Sequence, residues 1–335
     1  MSGRVLLTGA TGLVGGAVLR RLLRDGRRVV ALCRSDASAR TLAEAGAEPA
    51  RGDVLDPESL TRALAGCEVV YHVAGVNAFC LADPTPLFEV NVDGSRNVVD
   101  AAARTGVRRV VHTSSAATIG EAAGTVGRES SPHRGWFLSN YERSKHEAEQ
   151  VAFGEGARRG VEIVCVNPSS VQGPGRSGGT TRLLVDYVNG RLKAVVNTRM
   201  SIVDVDDCAE GHVLAERVGR PGARYVLNGA TLTIGEGIAL LARVTGLRAR
   251  PRTLPAPAAL ALGAGVEAVG RLRRRRPPLC REMVRTLCHG HAYDGALATR
   301  ELGLVYTPVE ETITRTLRWL VAEGLVTRPL PRLEA

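Results

Sequence analysis

Residues 4–15 constrain this chain more tightly than any stretch that follows. Arg4-Val5-Leu6-Leu7-Thr8 is a short apolar run. Gly9-Ala10-Thr11-Gly12-Leu13-Val14-Gly15 continues it without a break, and apolar residues then recur at helical spacing from Val14 to Leu23. A strand that turns through three glycines into a helix is a phosphate-binding device. Gly9 allows the tight turn, Gly12 lets a backbone approach a pyrophosphate, and Gly15 lets the helix lie close to the strand. The helix start offers free N–H groups and the positive end of a dipole to the phosphates.

The rhythm after this turn extends the same fold. Strand candidates follow at 28–33, 47–51, 68–73, 108–113 and 161–166, and helical spacing over 13–25, 37–45, 57–65, 84–105 and 139–159 predicts the helices between them. Several stretches, such as Glu68-Val69-Val70-Tyr71-His72-Val73, read as near-continuous apolar runs, as strands covered on both faces do. Strand–helix alternation at this spacing predicts an α/β fold with a Rossmann-type, doubly wound parallel sheet. After Pro168 the pattern loosens into a glycine-rich loop at 173–179. Helices are expected at 180–190, 208–218 (capped by Asp206 or Asp207), 235–245, 257–273, 277–289 and 308–323, with strands near 194–198, 201–207 and 224–228. The expected division is a dinucleotide-binding domain over 1–168, to which 199–222 returns, and a smaller, mostly helical C-terminal substrate lobe made of 169–198 and 223–335.

Composition narrows the class. Among 335 residues, 44% hydrophobic and 23% charged are the proportions of an ordinary globular protein. No apolar stretch reaches membrane-spanning length, and Met1-Ser2-Gly3-Arg4 runs straight into the first strand, so no secretory signal is expected and the cytoplasm is the expected compartment. The seven cysteines are scattered, mostly in apolar runs, and are expected to be reduced. Cys280, Cys288, His289 and His291 cluster in sequence but match no common zinc spacing, so no metal is expected. Net charge is +10, almost all of the excess being arginine. Arg271-Leu272-Arg273-Arg274-Arg275-Arg276, directly after the apolar stretch Ala256 to Val269, reads in two ways. It is either a solvated helix end with favourably placed cations or, through 257–276, a weak contact with an anionic membrane surface. No aromatic residue accompanies the run for stacking on bases, so nucleic acid is not an expected partner.

Tyr141-Glu142-Arg143-Ser144-Lys145 places a phenol and an ammonium four residues apart on one face of a predicted helix. A phenol with an ordinary pKa near 10 transfers protons poorly at neutral pH, and a cationic neighbour favours its phenolate. Val110-Val111-His112-Thr113-Ser114-Ser115 brings hydroxyls to the carboxyl end of a strand, where open α/β sheets bind ligands. Of the two serines, one fits a turn and the other, Ser115, fits a hydrogen bond to a substrate oxygen beside the phenol.

These residues, together with Gly52-Asp53-Val54, Tyr71-His72-Val73-Ala74-Gly75, Asn91-Val92-Asp93-Gly94, Asn167-Pro168, Asp204 to His212 and Arg300-Glu301-Leu302-Gly303, resemble an extended short-chain dehydrogenase/reductase of the NAD-dependent epimerase/dehydratase family. The likeness is strongest to its dihydroflavonol-4-reductase-like branch. The resemblance implies roles. Tyr141 is the acid/base, Lys145 lowers its pKa and holds the nicotinamide ribose, and Ser115 polarises the substrate carbonyl. Gly9, Thr11, Gly12, Leu13 and Val14 contact the pyrophosphate. Asp53 and Val54 meet the adenine, Ala74 and Gly75 line the ribose, and Pro168 flanks the nicotinamide. At the end of the second strand, Cys33 stands where an NAD enzyme carries an acid, and Arg34 follows, the residue type suited to a 2′-phosphate. NADP(H) is therefore expected over NAD(H).

The expected activity is NADPH-dependent reduction of a ketone or aldehyde, or the reverse alcohol oxidation. The alternatives are a sugar-nucleotide epimerase with transient hydride transfer and a non-catalytic NADP-binding sensor. Ala116-Ala117-Thr118 lacks the acid pair of a dehydratase. Phe79, Trp136 and Phe137 are the candidate apolar walls for a hydrophobic small-molecule substrate. Gly124, Gly127, Pro132 and Gly135 suggest a mobile loop ahead of the catalytic helix. The expected assembly is a monomer or a homodimer.

Overall fold

The computed structural model describes residues 3–248 and 251–333. Met1 and Ser2, on which the expectation about a secretory signal falls, lie outside the described residues. β1 (Arg4–Thr8) turns at Gly9 into α1 (Leu13–Arg24). β2 (Arg28–Cys33), α2 (Asp36–Glu44), β3 (Glu48–Arg51), α3 (Pro57–Ala63) and β4 (Val69–His72) follow in alternation. The helical stretch expected over 84–105 is interrupted. α4 (Thr85–Phe88) and α5 (Gly94–Arg104) flank a π-helical turn at 89–93. β5 (Arg109–Thr113), α6 (Asn140–Arg159) and β6 (Glu162–Pro168) complete the first half.

The second half contains β7 (Ser170–Gln172), α7 (Thr181–Val188), β8 (Ala194–Val196), β9 (Arg199–Asp204), α8 (Val205–Val218) and β10 (Arg224–Leu227). β11 (Ala230–Thr233), α9 (Ile234–Thr245), β12 (Arg252–Leu254), α10 (Ala256–Leu272), α11 (Arg281–His289) and α12 (Val309–Ala322) follow. Seven strands form one parallel sheet in the order β10-β6-β5-β4-β1-β2-β3. Chain order reverses between β1 and β4, and that reversal opens a crevice at the carboxyl ends of those two strands. The apolar runs have the double burial they predict: Val5, Leu6, Leu7, Val70, Val110, Val111 and Val164 are inaccessible to solvent. Each such side chain contributes about 1.5–3 kcal/mol relative to exposure.

The expected domain boundary at 223 needs correction. β10 is the edge strand of the main sheet, pairing in parallel with β6 from Arg224↔Cys165 to Leu227↔Pro168. Ala298, Leu302 and Leu304 pack into the same core layer as Val5 and Leu7. α8 also joins this layer, lying on α1 with ion pairs Arg21–Glu210, Arg27–Glu216 and Arg217–Asp25. Its cap is Asp204, whose carboxylate accepts from the N–H of Asp206; with three acids so close in sequence, the first one caps. The C-terminal lobe keeps its own core, in which Tyr187, Val188, Leu240, Leu317 and Leu320 meet. Two small sheets, β11-β9-β7 and β12-β8, accompany its helices.

Candidate active site

The crevice is shaped by glycine. Gly9 has φ +73°, and a Cβ there would lie 2.6 Å from the backbone nitrogen of Ala74, so the β1 turn and the segment after β4 touch without side chains between them. A Cβ at Gly15 would sit 2.0 Å from the Gly9 carbonyl oxygen, which is why the helix lies so close to the strand. Gly12 caps α1 with no side-chain hydrogen bond, and the first turn of α1 carries no acid. The leading N–H groups of Leu13 and Val14 are thus unopposed, and the cradle fits a pyrophosphate. Thr8 Oγ1 accepts from the N–H groups of Val73 and Ala74 and fixes the facing segment. Gly75 lies against Lys145: a Cβ on it would be 3.7 Å from Nζ and 3.1 Å from Asn91 Oδ1.

Ser139 caps α6 by accepting from the N–H of Glu142, which starts the helix just ahead of Tyr141. Tyr141 and Lys145 then stand one turn apart. Burial raises the Tyr141 phenol above its ordinary pKa, while a hydrogen bond with Ser115 and the positive charge of Arg176 pull it down. Lys145 Nζ donates to the Thr113 carbonyl at 2.7 Å, and burial lowers its pKa to about 8. The fold therefore brings Ser115, Tyr141 and Lys145 together at the carboxyl end of β5. The two serines do not divide between turn and site, because Ser115 itself caps the turn after β5 by accepting from the Ala117 N–H. Ser115 faces Tyr141, whereas Ser114 donates to the buried carboxylate of Glu149.

Glu149 is absent from the sequence-derived site, although it lies one turn beyond Lys145 on the same face. Its Oε2 also accepts from Thr118 Oγ1 at 3.0 Å and from Asn167 Nδ2 at 2.6 Å, and its Oε1 pairs with Arg224 at 3.1 Å. Asn91 is a second positioning residue. It donates to Ser144 Oγ and the Val76 carbonyl and accepts from the Val76 N–H, joining the loop after β4 to α6. Arg176, read from sequence only as part of a loop, acts electrostatically on Tyr141.

Asp53 and Val54 follow β3. Asp53 accepts from the Leu55 N–H, and Val54 is buried against Gly94. Pro168 is buried at the end of β6. Cys33 is buried and donates to the Ala50 carbonyl, while Arg34 is exposed with Nη1 3.9 Å from Asp53 Oδ2. Asp36 is directed to Arg51 at 3.5 Å. No acid among the described residues therefore occupies the tip of β2.

The aromatic candidates separate. Phe79 leans on Tyr141 with ring centroids 5.9 Å apart. Trp136 is 52% exposed with the Arg134 guanidinium over its ring, so it is corrected from pocket wall to surface residue. Phe137 packs on His133 and His146, and no ring contact joins it to Tyr141 among the described residues. The loop ahead of α6 is pinned rather than free: Gly127 donates to the Ala292 carbonyl and accepts from Asp294, Glu129 accepts from the Val226 N–H, and buried Arg134 and Glu142 form an ion pair.

The expectation of reduced cysteines fails at one pair. Cys80 and Cys280 form a disulfide across 200 residues, a separation no local spacing reveals. It joins the loop carrying Phe79 to the start of α11. Glu282 reinforces the joint by accepting from the N–H groups of Cys80 and Asn140. Reduction should lower Tm by about 3–6 °C, since the cross-link restricts a long loop of unfolded chain. Identical melting curves with and without dithiothreitol would refute the cross-link. His289 and His291 gather instead around Glu121, with His291 Nδ1 hydrogen-bonded to its Oε1 at 2.6 Å and His289 Nε2 3.4 Å away, and the two imidazoles outweigh burial and hold its carboxyl down at about 2.

Residues 5–227 match the model of the NAD dependent epimerase/dehydratase family. The chain is 33% identical over 333 residues to sterol demethylase protein B of Methylococcus capsulatus, covering 96% of this chain and 99% of that one. It is 34% identical over 257 residues to cinnamoyl-CoA reductase 1 of Oryza sativa subsp. japonica, covering 71% and 74%. The crystal structure of gox2253 superposes with a TM-score of 0.85 at 30% identity, covering 97% of this chain and 100% of that one.

Proposed function

Because the chain belongs to the NAD-dependent epimerase/dehydratase family, within the extended short-chain dehydrogenases/reductases, we propose that it is an NADPH-dependent reductase of a hydrophobic ketone or aldehyde, also able to oxidise the alcohol. The observation that supports this reading is Ser115 hydrogen-bonded to Tyr141, with Lys145 one helical turn further on and Phe79 against the phenol ring. The nicotinamide, when bound, supplies the hydride. Ser115 donates a hydrogen bond to the substrate oxygen and orients it. Tyr141 delivers its proton to that oxygen, and the Lys145 ammonium lowers the cost of the phenolate left behind. Glu149 and Asn91 hold the serine turn and α6 in register. Thr11, Gly12, Leu13 and Val14 would hold the pyrophosphate beside Gly9. Asp53 and Val54 would meet the adenine, Ala74, Gly75 and Lys145 the ribose, and Pro168 the nicotinamide.

Phe79 gives the site an apolar wall, and the name of sterol demethylase protein B points to a sterol, while that of cinnamoyl-CoA reductase 1 points to an aromatic acyl group carried on coenzyme A. The test is incubation with NADPH and a panel of hydrophobic ketones, followed at the nicotinamide absorbance. Stoichiometric loss of NADPH supports the reductase. Conversion of a sugar nucleotide without net cofactor loss would replace it with an epimerase, and tight NADPH binding with neither activity would leave a sensor.

Arg34 carries the cofactor preference. Its exposed guanidinium has only a long contact to Asp53 and is available for a 2′-phosphate. Arg34→Asp should weaken NADPH by about 10- to 100-fold, the worth of a charge-assisted hydrogen bond, and leave NADH within a few-fold. Paired fluorescence titrations decide; equal losses for both cofactors would remove Arg34 from the phosphate site.

A further inference from the structure

The outer face of α10 has no partner among the described residues. Helical spacing places Ala258, Ala261, Leu262, Gly265, Ala268, Val269 and Leu272 on one arc, and every one of them is exposed, Leu272 at 86%. The opposite arc is occupied. A Cβ at Gly263 would meet Val284 of α11 at 2.8 Å, and Glu267, the one acid of the helix, pairs there with Arg271 and Arg281. The exposed arc therefore carries no charge at all. At its carboxyl end Arg273, Arg274 and Arg275 are exposed, their N–H groups closing the helix end while their guanidiniums make no hydrogen bond or ion pair among the described residues.

We propose that α10 with Arg273–Arg275 docks this protein on an anionic lipid surface. The helix lies in the interface with its apolar arc in the acyl boundary and the guanidiniums among the headgroups. No helix of the described residues is long and apolar enough to cross a membrane, so the contact is peripheral. The apolar arc is mostly alanine and glycine, and only Leu262, Val269 and Leu272 add substantial buried area. Insertion alone is weak, and the arginines must supply the rest by charge complementarity with acidic headgroups. A water-exposed helix gains nothing from an uncharged outer face, whereas one that meets lipid requires it.

The docking surface is wired to the active site. Arg276 donates to the Phe79 carbonyl, Cys280 is bonded to Cys80, and Glu282 accepts from Cys80 and from Asn140 at the start of α6. The segment that rests on lipid thus holds the loop whose ring lies on Tyr141. A hydrophobic substrate can then pass from the bilayer to the phenol by a short route. This last step rests on the reductase reading; the docking itself does not.

Vesicle flotation with the full chain tests the docking. The protein should float with phosphatidylglycerol–phosphatidylcholine vesicles, stay behind with pure phosphatidylcholine, and be released by high salt. Arg273→Glu/Arg274→Glu/Arg275→Glu should cut partitioning by about a hundredfold, near fivefold for each arginine removed. Leu262→Ser/Val269→Ser/Leu272→Ser should also lower it, while NADPH binding in solution stays unchanged in both variants. Absence of flotation with acidic vesicles overturns the proposal, as does flotation that both variants retain. If the Leu262/Val269/Leu272 variant instead converts a dimer to a monomer in sedimentation, a second copy covers the face and the lipid assignment is wrong.

Discussion

Tyr141→Phe should reduce turnover by about a thousandfold while NADPH binds within about twofold of the native affinity. The substitution removes one oxygen. The ring keeps its place against Phe79, and Lys145 keeps its bond to the Thr113 carbonyl, so the cofactor's surroundings are unaltered. What disappears is the proton that the substrate oxygen must receive, and a positioned general acid is worth about 10²–10⁴ in rate. Single-turnover kinetics with a responsive ketone separate this loss from any change in binding. A variant that retains a tenth of the native rate would show that another group protonates the substrate and that Tyr141 only shapes the pocket.

Glu149→Ala should destabilise the fold by about 3–5 kcal/mol, the cost of breaking a buried ion pair from one side. The Glu149 side chain is fully buried, and that of Arg224 is 23% exposed. Truncation leaves the Arg224 guanidinium short of its counter-charge and strips Ser114, Thr118 and Asn167 of a shared acceptor. Glu149→Gln keeps the volume and one acceptor oxygen and should lose less. Its Ser115 turn should be less well held, so the rate should fall more than the stability. Denaturant titration of both variants decides. A loss under about 1 kcal/mol for Glu149→Ala would mean that water replaces the carboxylate and that the network is not a clamp.

Much of this site could be read directly from residue order. Valine runs bounded by glycine, aspartate or proline marked the central strands because burial on both faces leaves no room for alternation. The helix carrying Tyr141 and Lys145 was legible because both side chains serve one face. The same spacing continues to Glu149, yet a glutamate in mid-helix looks like any solvated one until Ser114 and Asn167 are seen to converge on it. β7, β11 and β12 escaped detection because strands of three or four residues carry too little pattern to outweigh a loop. Trp136 was misplaced because an aromatic near a catalytic helix can turn either way, and here the Arg134 guanidinium holds it outward. The Cys80–Cys280 pair was invisible because only the finished fold brings its ends together.

The late strand β10 bears on biosynthesis. When a ribosome has delivered the first 168 residues, the phosphate turn, Tyr141 and Lys145 have all been made, yet β6 is a bare edge. The layer containing Val164 and Val166 then still lacks Val205, Val213, Tyr225 and Leu227. Nascent chain of that length exposes an unpaired parallel strand and an apolar sheet face, the combination that invites aggregation. Translation of some sixty more residues closes the edge, and the segment 298–304 seals the layer later still. A stop codon after Pro168 should therefore yield an insoluble fragment rather than a small nucleotide-binding protein.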